Sequence, residues 1–321
     1  MSKKIKLWLI TATSFIVAGT IMFVVGMTLN GWDFTKLSTV KYETNAYNIE
    51  DDFKNISIET YTSDIKFVLS NDGICRVVCT ERENVNHSVV VRNGKLEIKA
   101  VDTREWYEYI ELGFGSEKIT VYLPDAEYAS LLIKASTSDI TIPKDFKFEN
   151  IDISVSTGDV ETQASASSGM KINTSTGNVS VKDVTSGKKN ISVSTGNVHL
   201  SSVKSDSDIK IKVSTGDSKL KNIECGSVIS SGSTGDIELK NVVATKLFSL
   251  ERSTGNIIFD KCDANEIFAE TSTGDVKGSL ISDKVFITKT DTGDIDVPKS
   301  IVGGRCEITT DTGDIDITIK N

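Results

Sequence analysis

From residue 131 onward the apolar residues fall into fixed columns. The tripeptide Thr-Gly-Asp/Asn begins at Thr157, Thr176, Thr195, Thr215, Thr234, Thr254, Thr273, Thr292 and Thr312, at steps of 19 or 20 residues. Four residues before each Thr lie Ile153, Ile172, Ile191, Ile211, Leu250 and Ile308, and three after it Val160, Val179, Val198, Ile237, Ile257, Val276, Ile295 and Ile315. Further apolar columns stand six before (Ile151, Met170, Ile209, Phe286), five after (Val181, Leu200, Leu239) and eight after (Val184, Val203, Ile281). Degenerate copies, Thr62-Ser63-Asp64 and Thr137-Ser138-Asp139, obey the same rule through Ile56, Ile58, Ile65 and Phe67 and through Leu131, Ile133, Ile140 and Ile142. Period-two alternation on both sides of a glycine turn, with many β-branched residues, predicts strands. Antiparallel hairpins turning at Thr-Gly are one way to use such a turn. They do not explain why every column keeps one register over nine repeats. A β-solenoid does, because equivalent residues of successive coils stack about 4.8 Å apart. The predicted fold is therefore all-β, a parallel β-helix-like solenoid of 19–20-residue coils. Ten repeats from Thr137 to Thr312 make a rod of roughly 50 Å.

The pattern loosens towards the N-terminus. Strands are predicted at residues 56–69, 74–80, 88–91, 95–100 and 118–123, with Asn93-Gly94 as a hairpin turn. The chain divides into a cytoplasmic stub and anchor (1–34), a diverged β lead-in that caps the solenoid (35–130) and the regular coils (131–321). At the other end the repeat runs out at Asp314-Ile315-Asp316-Ile317 with no second cap. The coil around Thr312 is then expected to present an open strand edge, a template for a partner or for self-association.

Helical periodicity is confined to the start. Lys3, Lys4 and Lys6 precede an uncharged run from Leu7 to Leu29, 23 residues, enough for one membrane-spanning helix. It is too long for the apolar part of a signal peptide and ends without a small-x-small site. Basic residues on its N-terminal side place that terminus in the cytoplasm and residues 31–321 outside, with Trp32 and Phe34 at the interface. The expected location is the cell membrane, single-pass. Six residues ahead of the helix are too few for a signalling domain, so any message crossing the membrane needs a partner.

Charge and composition narrow the chemistry. Lys+Arg is 36 and Asp+Glu is 45, a formal balance of −9, which argues against a nucleic-acid partner. A content of 38% hydrophobic residues excludes a disordered polyanion. His87 and His199 are the only histidines, far apart in sequence, and the six arginines are scattered, so neither a His-based hydrolase nor a sugar lyase finds its residues; the chain is not expected to be an enzyme. Five cysteines do not describe a disulfide scaffold, and Cys262 and Cys306 sit in apolar columns as buried thiols.

Two clusters remain. Asp and Asn recur directly after each corner glycine, for which turn chemistry is the first explanation. The last two copies are denser: Asp291, Asp294 and Asp296 stand above Asp311, Asp314 and Asp316. Six acids on adjacent coils make a candidate cation site, Ca2+ being the ion with a matching appetite for oxygen ligands. Trp106, Tyr107, Tyr109 and Phe114 interrupt the lead-in as a candidate sugar- or lipid-binding group, cap packing being the plainer role.

A membrane segment, then Ile119-Thr120-Val121-Tyr122-Leu123-Pro124, then serial Ser-Thr-Gly-Asp-Val turns resembles the "putative adhesin" β-strand-repeat family common in Firmicutes, over residues 40–321. The resemblance implies a surface β-solenoid and supplies no catalytic residues. Adhesion or envelope interaction with an unidentified surface partner is the expected role. An envelope-stress sensor working through a membrane partner is the alternative, and a carbohydrate-active enzyme the third.

Overall fold

The computed structural model describes residues 2–33, 40–106 and 115–320. Phe34 lies outside these. After the Lys3–Leu29 helix every element is a strand, and the strands wind into a β-solenoid of about ten turns. Neighbouring coils pair in parallel at the repeat spacing: Ile191 lies beside Ile172 and Ile211, and Val198 beside Val179 and Ser218. The columns are therefore ladders into the interior, and Ile172, Ile191, Val179 and Val198 are wholly buried. Each such Ile or Val contributes about 1.5–3 kcal/mol by leaving water.

Two corners shape each coil. The first is the glycine of Thr-Gly-Asp/Asn, whose φ lies between 116° and 149° in the nine repeats. The second was not anticipated. Seven residues after the Thr, Asp183, Ser202, Asn222, Asn241 and Lys261 all adopt the left-handed conformation, φ 50–55°. Four of the five are short polar residues, and Asn and Asp bear φ > 0 best among non-glycine residues, but Lys261 shows that the conformation does not require one. The Thr273 coil omits this residue. There Gly278 (φ 129°) makes the bend, and Leu280 rather than Ile281 pairs with Cys262 and enters the core. The column placement of Ile281 is thus corrected: its side chain is 36% exposed.

At the N-terminal end the first coil is assembled from distant segments. Ile56 and Ile58 pair with Leu131 and Ile133, and Ile65 with Ile140, so the Thr62 and Thr137 corners stack directly. The other side of this coil is covered by Lys95–Asp102 and Lys118–Leu123, again in parallel. Antiparallel strands finish the end: Cys75–Arg82 against Lys118–Leu123, Val85–Arg92 against Lys95–Asp102, and Tyr42–Ile49 against Cys75–Arg82. Asn93 (φ 52°) and Gly94 (φ 71°) form the hairpin turn that their pairing foretells.

The C-terminal end departs from expectation. The Thr312 coil does not end the rod. Strand Gly304–Thr312 pairs on one side with Ile257–Thr273 and on the other with Lys284–Thr292, so the order in space is Thr273, Thr312, Thr292. The outer edge belongs to the Thr292 coil. The reason lies in the columns. Ile308, Ile315 and Ile317 fill a coil covered on both sides and are 0–2% exposed. The Thr292 coil offers Thr288 and Thr290 at two inward positions and leaves Ile295 45% exposed. Exchanging the two coils would open three isoleucines to water instead, at roughly 1 kcal/mol for each half-exposed side chain. Pro298, which has no N–H to offer, and the two-residue strand Ile295–Asp296 also suit an edge. The open strand edge expected at the Thr312 coil is therefore carried by the Thr292 coil instead.

Candidate functional site

The corner residues form one continuous polar ladder. The side-chain Oδ1 of each Asp or Asn accepts the backbone N–H of its counterpart on the next coil at 2.7–3.0 Å, from Asp64 through Asp139, Asp159, Asn178, Asn197, Asp217, Asp236, Asn256, Asp275 and Asp314 to Asp294. Turn chemistry is the role these contacts define. In the nine Thr-Gly copies the glycine before the Asp or Asn is constrained twice. Besides its positive φ, a Cβ on Gly216 would lie 2.1 Å from the carbonyl oxygen of Gly196. The corner packs backbone on backbone, and only glycine allows the approach.

The six acids of the candidate cation site are brought to adjacent corners. Asp296 and Asp316 are in register, and the Asp294 N–H donates to Asp314 Oδ1. Asp291 pairs with Lys289 at 2.9 Å. Asp275, next in the ladder, is held below the usual carboxylate range by the Asp314 N–H and by Lys277. Trp106 is 78% exposed and lies in the connection between Lys95–Asp102 and Lys118–Leu123. Tyr107, Tyr109 and Phe114 lie outside the described residues.

Before the Thr-Gly corner runs an outer groove of about 660 Å³ that crosses six stacked strands. Ser136, Ser156, Ser175 and Ser194 line it one residue before the Thr, and Ser154, Asn173 and Ser192 three residues before. Hydroxyl and amide groups at coil spacing suit an extended polar ligand. His199 is half-buried on the face after the corner, its pKa lowered by that burial and then by Lys182, Lys219 and Lys221.

Sequence reasoning missed two cations inside the rod. Lys189 occupies the column of Met170 and Ile209 and is wholly buried, its amine without a hydrogen-bond partner. Arg252 is 1% exposed, two residues before a Thr. Its Nε donates to the Gly235 carbonyl at 3.1 Å, as Thr271 donates to Gly255 and Thr310 to Gly274. Its Nη2 donates to Ser218 at 2.8 Å, and Gly232 leaves room for Nη1. Three departures from the columns, Ser218, Gly232 and Arg252, thus have one cause. A signal was present: Ser218 alone breaks a Val/Ile column three residues after the Thr. Ser218→Val should cost about 3 kcal/mol, because it strands part of a buried guanidinium. Adding Arg252→Leu should recover most of the loss. Urea midpoints of the two single variants and the double variant measure this coupling, and additive losses would refute it.

The Toastrack family, DUF4097, matches residues 53–212 and 203–321. Among solved structures, a "putative lipid binding protein" from Parabacteroides distasonis is 20% identical with a TM-score of 0.53, over 74% of this chain and 95% of that one. A "putative adhesin" from Bacteroides fragilis is 16% identical, TM-score 0.44, over 87% and 97% of the two chains. One from Parabacteroides distasonis is 13% identical, TM-score 0.48, over 87% and 98%. At such identity the likeness concerns fold alone. No curated protein matches the chain. The repeats that build the coils are those the family profile matches over most of the length, and the chain belongs to the Toastrack DUF4097 family.

Proposed function

We propose that this chain works by binding, as an adhesin-like rod held at the cell membrane by its N-terminal helix with residues 31–321 outside. The observation that carries the anchor is the helix itself. It runs 27 residues, Lys3–Leu29, and none of its apolar window is buried against the solenoid. Leu7, Trp8, Ile10, Phe15 and Met22 are each more than 60% exposed. Lipid is the medium that covers such a surface on all sides. The basic residues at 3, 4 and 6 favour the cytoplasmic side for the N-terminus. What binds is the rod's outer groove, whose serine and asparagine side chains repeat from coil to coil and suit an extended envelope or surface polymer.

Two measurements test this. A reporter fused after Asn321 should score as extracytoplasmic, with the full-length chain in the membrane fraction; a shortened, soluble product would make the helix a cleaved signal sequence. Isolated envelope polymer should retain the full chain and release it when Ser154→Trp and Asn173→Trp fill the groove. Equal retention of both would place binding elsewhere, and no retention of either would remove the envelope as target.

A further inference from the structure

We propose that Cys79, Glu81 and His87 form a divalent-metal site of the Zn2+ type inside the N-terminal cap. Cys75, Val77, Cys79 and Glu81 alternate on the inward face of strand Cys75–Arg82. A carboxylate there breaks an otherwise apolar column. His87 comes from the next strand, Val85–Arg92, and also points inward. Cys79 and Glu81 are 0% exposed and His87 is 3% exposed. One ligand atom from each, the thiol sulfur, a carboxylate oxygen and an imidazole nitrogen, lies within 4.8 Å of the other two. Sulfur, nitrogen and oxygen donors so gathered are the set that Zn2+ takes.

The surrounding contacts fix the orientation of the ligands. His87 Nδ1 faces Glu81 Oε2 at 2.6 Å, and the His87 backbone N–H donates to the same oxygen at 2.7 Å. Asn45 Nδ2 donates to the other oxygen, Oε1, at 2.8 Å. On the far side of the ring, Nε2 lies 3.1 Å from the Thr60 hydroxyl. A hydroxyl both donates and accepts. When a metal takes Nδ1, the ring proton sits on Nε2 and donates to Thr60 Oγ1, so the ring keeps its orientation in either tautomer. Such an outer partner is what metal-bound imidazoles require.

Charge and size agree. Binding releases the thiol proton, so the ion meets a thiolate, a carboxylate and a neutral imidazole. The buried site is then neutral overall. Zn2+ bonds of about 2.0–2.3 Å separate ligand atoms by roughly 3.3–3.8 Å. The Glu81–His87 contact opens by about 1 Å to admit the ion. The product is a clamp between two antiparallel strands that close the end of the rod.

Co2+ is the probe, added to the full chain in detergent after chelator treatment. One Co2+ per chain should bind and give the near-ultraviolet thiolate-to-cobalt absorption. Cys79→Ser should abolish that band, while Cys75→Ser, a buried thiol on the same strand, should keep it. His87→Gln should weaken binding by about 100-fold. No band with the wild-type chain, or a band that survives Cys79→Ser, overturns the proposal. If Cys79→Ser does not fold, X-ray absorption of the Zn2+-loaded wild type decides instead. One sulfur among nitrogen and oxygen ligands supports the site, and a shell without sulfur overturns it.

Discussion

Replacing Gly216 with Val should cost about 4 kcal/mol or more, the largest loss expected from any single change at the surface of this rod. A β-branched residue resists φ near 133°, and its Cβ would press on the Gly196 carbonyl 2.1 Å away and the carbon behind it 2.7 Å away. Neither atom can move aside, because both are backbone of the neighbouring coil. Relief comes only by parting the Thr195 and Thr215 coils, and in a rod stabilised by nearest-neighbour contacts that removes an interface. Ser214, two residues earlier, is half-buried on the groove side of the same corner. Ser214→Val should therefore change stability by no more than about 0.5 kcal/mol. Urea unfolding of both variants measures the contrast. Similar losses would mean that the corner glycines are not the constraint described.

Lys189→Met should act in the opposite direction and stabilise the protein by about 3 kcal/mol at pH 7. Burial pushes the Lys189 amine down from 10.5 to about 8, while Cys225 acts the other way. The neighbours along the ladder, Met170 and Ile209, show that a methionine fits the column. At about 1.4 kcal/mol per pH unit, the cost of keeping this lysine charged in the core is of that order. Below about pH 8 the amine carries its proton in both the folded and the unfolded chain, and the gain from methionine is constant. Between about pH 8 and 10.5 the folded chain has released a proton that the unfolded chain still holds, so the wild type recovers stability and the gain shrinks towards zero. The five cysteines oppose this in absolute terms. Their thiols are pushed up to about 11 or 12 by burial, so their contribution falls as pH rises above 9. The difference between wild type and variant isolates the lysine. A gain that does not shrink above pH 8 would show that the folded amine keeps its proton as long as the unfolded one does, so that burial does not depress it.

The coil, its glycine corner and its register could be read from the columns because period-two alternation and a 19–20-residue step leave no freedom once a corner is placed. The second corner could not, since Asp183, Ser202, Asn222, Asn241 and Lys261 share a conformation more than a residue type. The order of the last coils was also hidden. Thr292 and Thr312 fit the same ladder equally well, and periodicity carries no information about which stacks on Thr273. What decides it is how well each coil fills its columns, visible in Thr288 against Ile308 and in Pro298. The buried cations were hidden for a related reason. A lysine or arginine at an inward position looks like a surface residue slipped by one place, until the contacts with Gly235 and Ser218 show that Arg252 belongs there. The unbroken hydrogen-bond ladder of the corner Asp and Asn residues was not legible in the sequence, because spacing alone does not say that each Oδ1 reaches the next coil's N–H.

The insertion of Gly304–Thr312 between two earlier coils also bears on how the rod is built. Up to Thr273 each regular coil can settle on the one synthesised before it, as the chain emerges. After that the order of synthesis and the order of assembly part. Residues 284–296 emerge first, yet their place exists only once residues 304–319 have settled on the Thr273 coil. The same ladder register lets the earlier segment settle there prematurely, with Thr288 where Ile308 belongs. Completion of this tip waits for residues 304–319, and the vacancy it fills is one that a like segment from a neighbouring chain could occupy first.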